Sequence, residues 1–97
     1  MNVRVPQIIS ISDALKLYYT KRELRNTDLK ILFGAIGSAR IVKLKDLARD
    51  AMREKDVPTL DNQAVNTDCA YEAWGINIEE LEKNYSRMKR LGLLEEA

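Results

Sequence analysis

A chain of 97 residues, with 45% hydrophobic residues, 32% charged residues and a net charge of +1, has the composition of one soluble domain. Because histidine is absent and Cys69 is the only cysteine, the sequence excludes an intrachain disulfide, a zinc finger and a histidine-based catalytic triad. No apolar run approaches the ~20 residues that span a bilayer, and the first residues lack a secretory signal pattern, so we expect one cytoplasmic domain over residues 1–97, with no metal, cofactor or membrane partner.

The beginning of the chain predicts an extended arm followed by a short helix. Residues 1–9 do not have helical spacing, whereas apolar residues recur at helical intervals over 11–20. Ser10 and Asp13 have the spacing of a helix start. We therefore expect a first helix over about 11–20.

Two further helices are predicted on either side of a glycine-containing turn. Asn26 or Thr27 is expected to cap the second helix, and Gly34 to end it with a positive φ. Ser38 is the expected cap of the third helix, which extends to about residue 55. On a helical wheel its buried face consists of Ile41, Leu44, Ala48, Ala51 and Met52.

The remaining chain predicts two more helices and a short extended region. Residues 57–65 are consistent with two extended pieces around a turn, which is the pattern of a small β-hairpin. Asn66 or Thr67 is expected to cap a fourth helix that buries Trp74. Asn77 is expected to begin a fifth helix, which ends near Gly92.

These elements together predict a mainly all-α fold. It is a helix-turn-helix domain of about five helices, with the hairpin as a candidate wing. The last residues, 93–97, are expected to form a frayed tail.

The order of short helix, glycine turn, second helix, extended pair and Trp-containing helix resembles winged helix-turn-helix proteins of the excisionase and MerR types. The resemblance covers residues 26–76 and is carried by Leu29–Gly34, Ile36–Ser38, Ile41, Leu44, Val57–Pro58 and Val65–Trp74. In those families the second helix of the motif enters the major groove and the wing contacts the backbone or the minor groove. Small members control the excision or expression of mobile elements, so the resemblance implies a regulator or recombination-directionality factor of a phage or mobile element.

Charge is distributed unevenly along the chain. Lysine and arginine predominate in residues 1–56, and aspartate and glutamate in residues 57–97, which favours a surface that faces a polyanion. Small and polar residues at the start of the third helix suit contacts with base edges, and the basic loop before the second helix suits phosphates. The candidate DNA-binding residues are Lys21, Arg22, Arg25, Thr27, Ser38, Ala39, Arg40, Val42, Lys43, Asp46, Arg49 and Arg53.

We therefore expect a sequence-specific protein that binds double-stranded DNA and is not an enzyme, with a recognition helix over about 38–55. The alternative is a protein-protein interaction adaptor that uses the C-terminal helix, 78–94. DNA binding is favoured if the basic residues share one open face, and the adaptor if acidic residues interrupt that face. The predicted fifth helix has one apolar stripe, which consists of Ile78, Leu81, Tyr85 and Met88. This stripe either packs on the domain's own core or pairs two chains as a homodimer.

Overall fold

A computed structural model describes residues 5–58 and 63–92. In chain order its elements are α1 (Ile11–Thr20), β1 (Glu23–Leu24), α2 (Asn26–Phe33), α3 (Ser38–Glu54), β2 (Val65–Asn66), α4 (Thr67–Ala73) and α5 (Ile78–Arg90). The expected mainly all-α fold with five helices is confirmed, and the two strands form a small antiparallel sheet. Residues 5–9 have no regular secondary structure. The predicted frayed tail, 93–97, and the first four residues of the predicted arm lie outside the described residues.

Three of the predicted helix starts are confirmed by their capping hydrogen bonds. Ser10, Asn66 and Asn77 each precede a helix. The side-chain oxygen of each accepts a hydrogen bond from the backbone N–H three residues later, at 3.2, 3.0 and 3.1 Å respectively. Each side chain thereby satisfies one of the N–H groups that the first turn of a helix leaves without a partner.

The start of α2 differs from the prediction. Neither Asn26 nor Thr27 is the cap, because α2 already begins at Asn26. The carboxylate of Asp28, in the first turn, accepts a hydrogen bond from the backbone N–H of Arg25 at 2.9 Å and one from Lys21 Nζ at 2.8 Å. A buried carboxylate within the helix therefore fixes its entry.

The turn between α2 and α3 is formed by residues 34–37. Gly34 ends α2 with a φ of +84°, so the predicted positive φ is confirmed. The prediction that Ser38 caps α3 is wrong by one residue, because Gly37 occupies that position without a side-chain hydrogen bond. The C-terminal end of α3, at Glu54, agrees with the prediction to within one residue.

The core is centred on Trp74, which docks α4 onto α3. Its indole Nε1–H donates a hydrogen bond to the backbone carbonyl of Leu44 at 2.8 Å, and its ring lies 5.4 Å from that of Phe33. The neighbouring Tyr71 is almost completely buried, and its hydroxyl donates to the carbonyl of Ala14 in α1 at 2.6 Å. The predicted core position of Trp74 is therefore confirmed.

The sheet joins the two ends of the segment that contains α2 and α3. β1 and β2 are antiparallel, with Leu24 opposite Val65, and both side chains are fully buried. The sequence did not predict β1. A hairpin was predicted over 57–65, and its last residue, Val65, belongs to this sheet, where it pairs with Leu24. The predicted turn at 61–62 lies outside the described residues.

α5 packs against α1 and runs in the opposite direction. The start of α1, at Ile11, lines a groove together with Leu81 and Asn84, whereas the end of α1, at Tyr19, lies near the start of α5 and contacts Glu82. Because α1 begins opposite Leu81–Asn84, the last two turns of α5 extend beyond it.

Candidate nucleic-acid interface

The first half of α3 presents small and polar side chains to solvent. Ile41 and Leu44 are buried, so the residues between and before them face outward. Val42 is 56% exposed, one of the few large apolar side chains of the described residues that the core does not cover. The exposed set in this half consists of Ser38, Ala39, Arg40, Val42 and Lys43.

The second half of α3 has a different character, because acidic residues neutralise its arginines. Arg49 lies 3.7 Å from the Asp46 carboxylate, and Arg53 contacts Asp50 three residues before it. Arg40 and Arg49 are nine positions apart, which at about 100° per residue places them on roughly opposite sides of the helix. The basic residues of α3 therefore do not share one open face, which is the condition that would favour DNA binding, and acidic residues interrupt the second half of the helix.

The flank before α2 contains the other predicted contacts. Arg22, Arg25 and Thr27 are exposed around the end of β1 and the first turn of α2. Lys21 is half exposed, but its ammonium is bound to the buried Asp28 carboxylate at 2.8 Å. Arg22 and Thr27 can thus reach a ligand without breaking the contact that fixes the entry to α2.

Lys45 is a buried cation beside the candidate interface that sequence reasoning missed. It is only 7% exposed, and its ammonium donates hydrogen bonds to Asn26 Oδ1 at 3.0 Å and to the backbone carbonyl of Gln63. A cleft of about 300 Å³ between α2 and α3 is lined by Lys30, Lys45 and Arg49, among others. Lys45 lies four positions after the buried Ile41, so the helical wheel places it on the buried side of α3, but its hydrogen-bond partners are distant in the sequence.

The stripe predicted on α5 is divided by the structure. Ile78 and Leu81 pack against the domain's own core, so the four predicted residues do not form one free dimer surface. Tyr85 and Met88 are half buried and lie outside that core cluster. The apolar residues of α5 that lie outside the core are therefore in its second half.

The described ranges, 5–58 and 63–92, were compared with the features of a reactive thiol, a metal site and a membrane-spanning helix. Burial raises the pKa of the Cys69 thiol, so this side chain is a core residue rather than a reactive thiolate. These ranges contain no group of three or more side chains suited to hold a metal ion, and none of their helices has the length and apolar character needed to cross a membrane. No family model, no curated protein and no solved structure matches the chain.

Proposed function

We propose that the protein binds duplex DNA and that the first half of α3 enters the major groove. The observation that carries this proposal is the exposed set directly behind the glycine turn, which consists of Ser38, Ala39, Arg40, Val42 and Lys43. A helix that enters the groove must be slim, and Ala39 and Val42 offer methyl groups that suit contacts with thymine. Ser38 and Lys43 add groups that hydrogen-bond base edges or phosphates.

The start of α2 offers a phosphate site in this proposal. Backbone N–H groups at a helix start attract anions, since the positive end of the helix dipole lies there. Arg22, Arg25 and Thr27 are exposed beside this helix start. Contacts of this kind position a protein on the duplex but do not select the sequence.

The connection of the elements also favours this function. The antiparallel pair of β1 and β2 flanks α2 and α3, as expected for a winged helix-turn-helix. The resemblance to excisionase-type and MerR-type proteins extends the proposal to a regulator or recombination-directionality factor of a phage or mobile element.

The alternative function is that of a protein-protein interaction adaptor. The ion pairs of Asp46 and Asp50 favour it, because carboxylates in the second half of α3 would repel phosphates. The adaptor would use the C-terminal helix predicted over 78–94, whose second half extends beyond α1. Because these carboxylates lie in the second half of α3, the DNA proposal is limited to the first half of the helix.

The experiment is a fluorescence anisotropy titration of labelled random duplex DNA at several salt concentrations. The wild type should bind with an affinity that falls as salt rises, because binding releases counterions. On this DNA, Lys43→Ala should lower the salt slope by about 1 if Lys43 contacts phosphate. On a duplex selected for tight binding from a random pool, it should weaken binding by about 1–3 kcal/mol if Lys43 contacts a base. Lys83→Ala removes the same charge from α5 and is the matched control, since α5 packs on α1 rather than on α3.

Two outcomes would contradict the proposal. A wild type that does not bind duplex DNA even at low salt would leave the adaptor as the better function. Undiminished binding by a folded Ser38→Ala, Val42→Ala, Lys43→Ala triple variant would move the DNA site away from α3. Circular dichroism of each variant confirms that the fold is intact.

A further inference from the structure

A groove of about 430 Å³ separates the N-terminal segment from α5. Its apolar wall includes Ile8, Ile11 and Trp74, and from the α5 side it is lined by Asn77, Glu80, Leu81 and Asn84. These α5 residues recur at intervals of three and four, so they form one stripe along the helix.

The same stripe continues beyond the groove into the open end of α5. At the heptad spacing, Asn84 is followed by Leu91, and the positions of Glu80 and Leu81 are repeated by Arg87 and Met88. Leu91 is 61% exposed, Arg87 is exposed and Met88 is half buried. This part of α5 lies past the start of α1, so the stripe leaves the body of the domain with apolar side chains uncovered.

Charge divides α5 into two halves of opposite sign. The first turns are acidic, with Glu79, Glu80 and Glu82, whereas every charged residue from Lys83 to Arg90 is basic. Within the described part of the chain, neither Glu80 nor Arg87 forms an ion pair. A helix with this arrangement is complementary to a second copy of itself in the antiparallel direction.

We propose that two copies of the chain associate through α5, antiparallel about a two-fold axis at Asn84. In this pairing Glu80 of each copy lies opposite Arg87 of the other, and Met88 lies against Leu81 at the edge of the groove. Leu91 reaches the end of the groove near Asn77 of the second copy. Such a contact is isologous, because the same surface of both copies meets and the interface closes at two subunits.

This association surface is distinct from the DNA surface on α3, so its test requires no DNA. Sedimentation velocity over a range of protein concentrations should show that the wild type is a dimer that dissociates on dilution. Glu80→Arg and Arg87→Glu should each raise the dimer dissociation constant by about tenfold or more, since each puts like charges opposite one another at two places in the interface.

The double variant Glu80→Arg, Arg87→Glu should restore dimerisation, because the exchanged charges again face their opposites. Lys89→Glu makes the same change of charge as Arg87→Glu, but it lies two positions later and so on roughly the opposite side of α5, and it should leave the dimer intact. Circular dichroism distinguishes a folded monomer from an unfolded chain for every variant.

Three results would overturn the proposal. The first is a wild type that sediments as a monomer at every concentration, which would leave the groove to a different protein. The second is a dimer that neither single variant weakens. The third is a double variant that stays monomeric while folded, which would show that Glu80 and Arg87 do not face each other.

Discussion

The ammonium of Lys45 lies 3.0 Å from Asn26 Oδ1, and this hydrogen bond joins the middle of α3 to the first residue of α2. The same ammonium binds the backbone carbonyl of Gln63, just before β2. One buried cation thus holds three parts of the proposed DNA-binding segment together. Its hydrogen bonds offset part of the cost of burying a charge, which is large when no partner is present.

Lys45→Met should lower the free energy of unfolding by about 1–3 kcal/mol, because methionine fills the space of the lysine stem but donates no hydrogen bond. Urea unfolding followed by circular dichroism measures this change. Lys43→Met, an exposed position in the same helix, is the matched control and should stay within about 0.5 kcal/mol of the wild type. A Lys45→Met variant as stable as the wild type would mean that the ammonium contacts contribute no net stability.

Gly34→Ala should destabilise the domain by about 1–3 kcal/mol, because the glycine has φ +84° and ψ −155°, a conformation that other residues rarely adopt. Space is not the cause, since an added Cβ would meet Ile9 at an ordinary 3.6 Å. Gly37→Ala adds the same atoms in open space at φ −72°, so it should cost only about 0.5 kcal/mol, which is the preference of a helix N-cap for glycine over alanine. Thermal melts compare the two variants, and equal melting temperatures would contradict the assigned turn conformation.

The domain should lose stability above pH 10 because of Tyr71. Burial, and secondarily the charge of Asp28, raises the pKa of this hydroxyl well above its ordinary value of 10.0. A raised pKa in the folded state contributes stability that is complete below the unfolded value and is lost as the pH rises above it. Urea unfolding at neutral pH and above pH 10 should therefore give a smaller free energy at the higher pH.

The variant Tyr71→Phe isolates this contribution. At neutral pH it should cost about 0.5–1.5 kcal/mol, because the hydrogen bond to the Ala14 carbonyl is lost. Above pH 10 its stability should fall less steeply than that of the wild type, since phenylalanine does not ionise. If the free energy of unfolding falls equally steeply with pH in the two proteins, the loss of stability at alkaline pH comes from other groups. One such group is Tyr18, whose pKa is raised mainly by its hydrogen bond to Asp68.

The helices could be predicted from sequence because their signals are local. Ser10, Asn66 and Asn77 are residues whose side chains cap a helix within three positions, and Gly34 supplies the positive φ that ends α2. The start of α2 was harder to predict, because the hydrogen bond that fixes it is accepted by Asp28, which lies inside the helix. A carboxylate in the first turn can replace a capping side chain, so the boundary moved by a residue or two.

The features that were missed depend on contacts between distant parts of the chain. β1 has two residues, and only its pairing with Val65 and Asn66 defines it as a strand. The burial of Lys45 depends on the Gln63 carbonyl, whose position no local pattern reveals. By contrast, the exposed first half of α3 follows from the helical wheel, so this part of the candidate interface could be predicted from sequence alone.

The pairing of Leu24 with Val65 closes the chain into a loop whose ends are held together whatever lies between them. The entropy of closing a flexible loop grows only with the logarithm of its length, so doubling a flexible connection costs only about 0.6 kcal/mol. Residues inserted between Asp56 and Gln63 would therefore change how far this stretch can reach, with little loss of stability. Deletions are limited instead by the shortest path from the end of α3 back to β1. The length of this stretch is thus free to vary, while the two clamped strands are not.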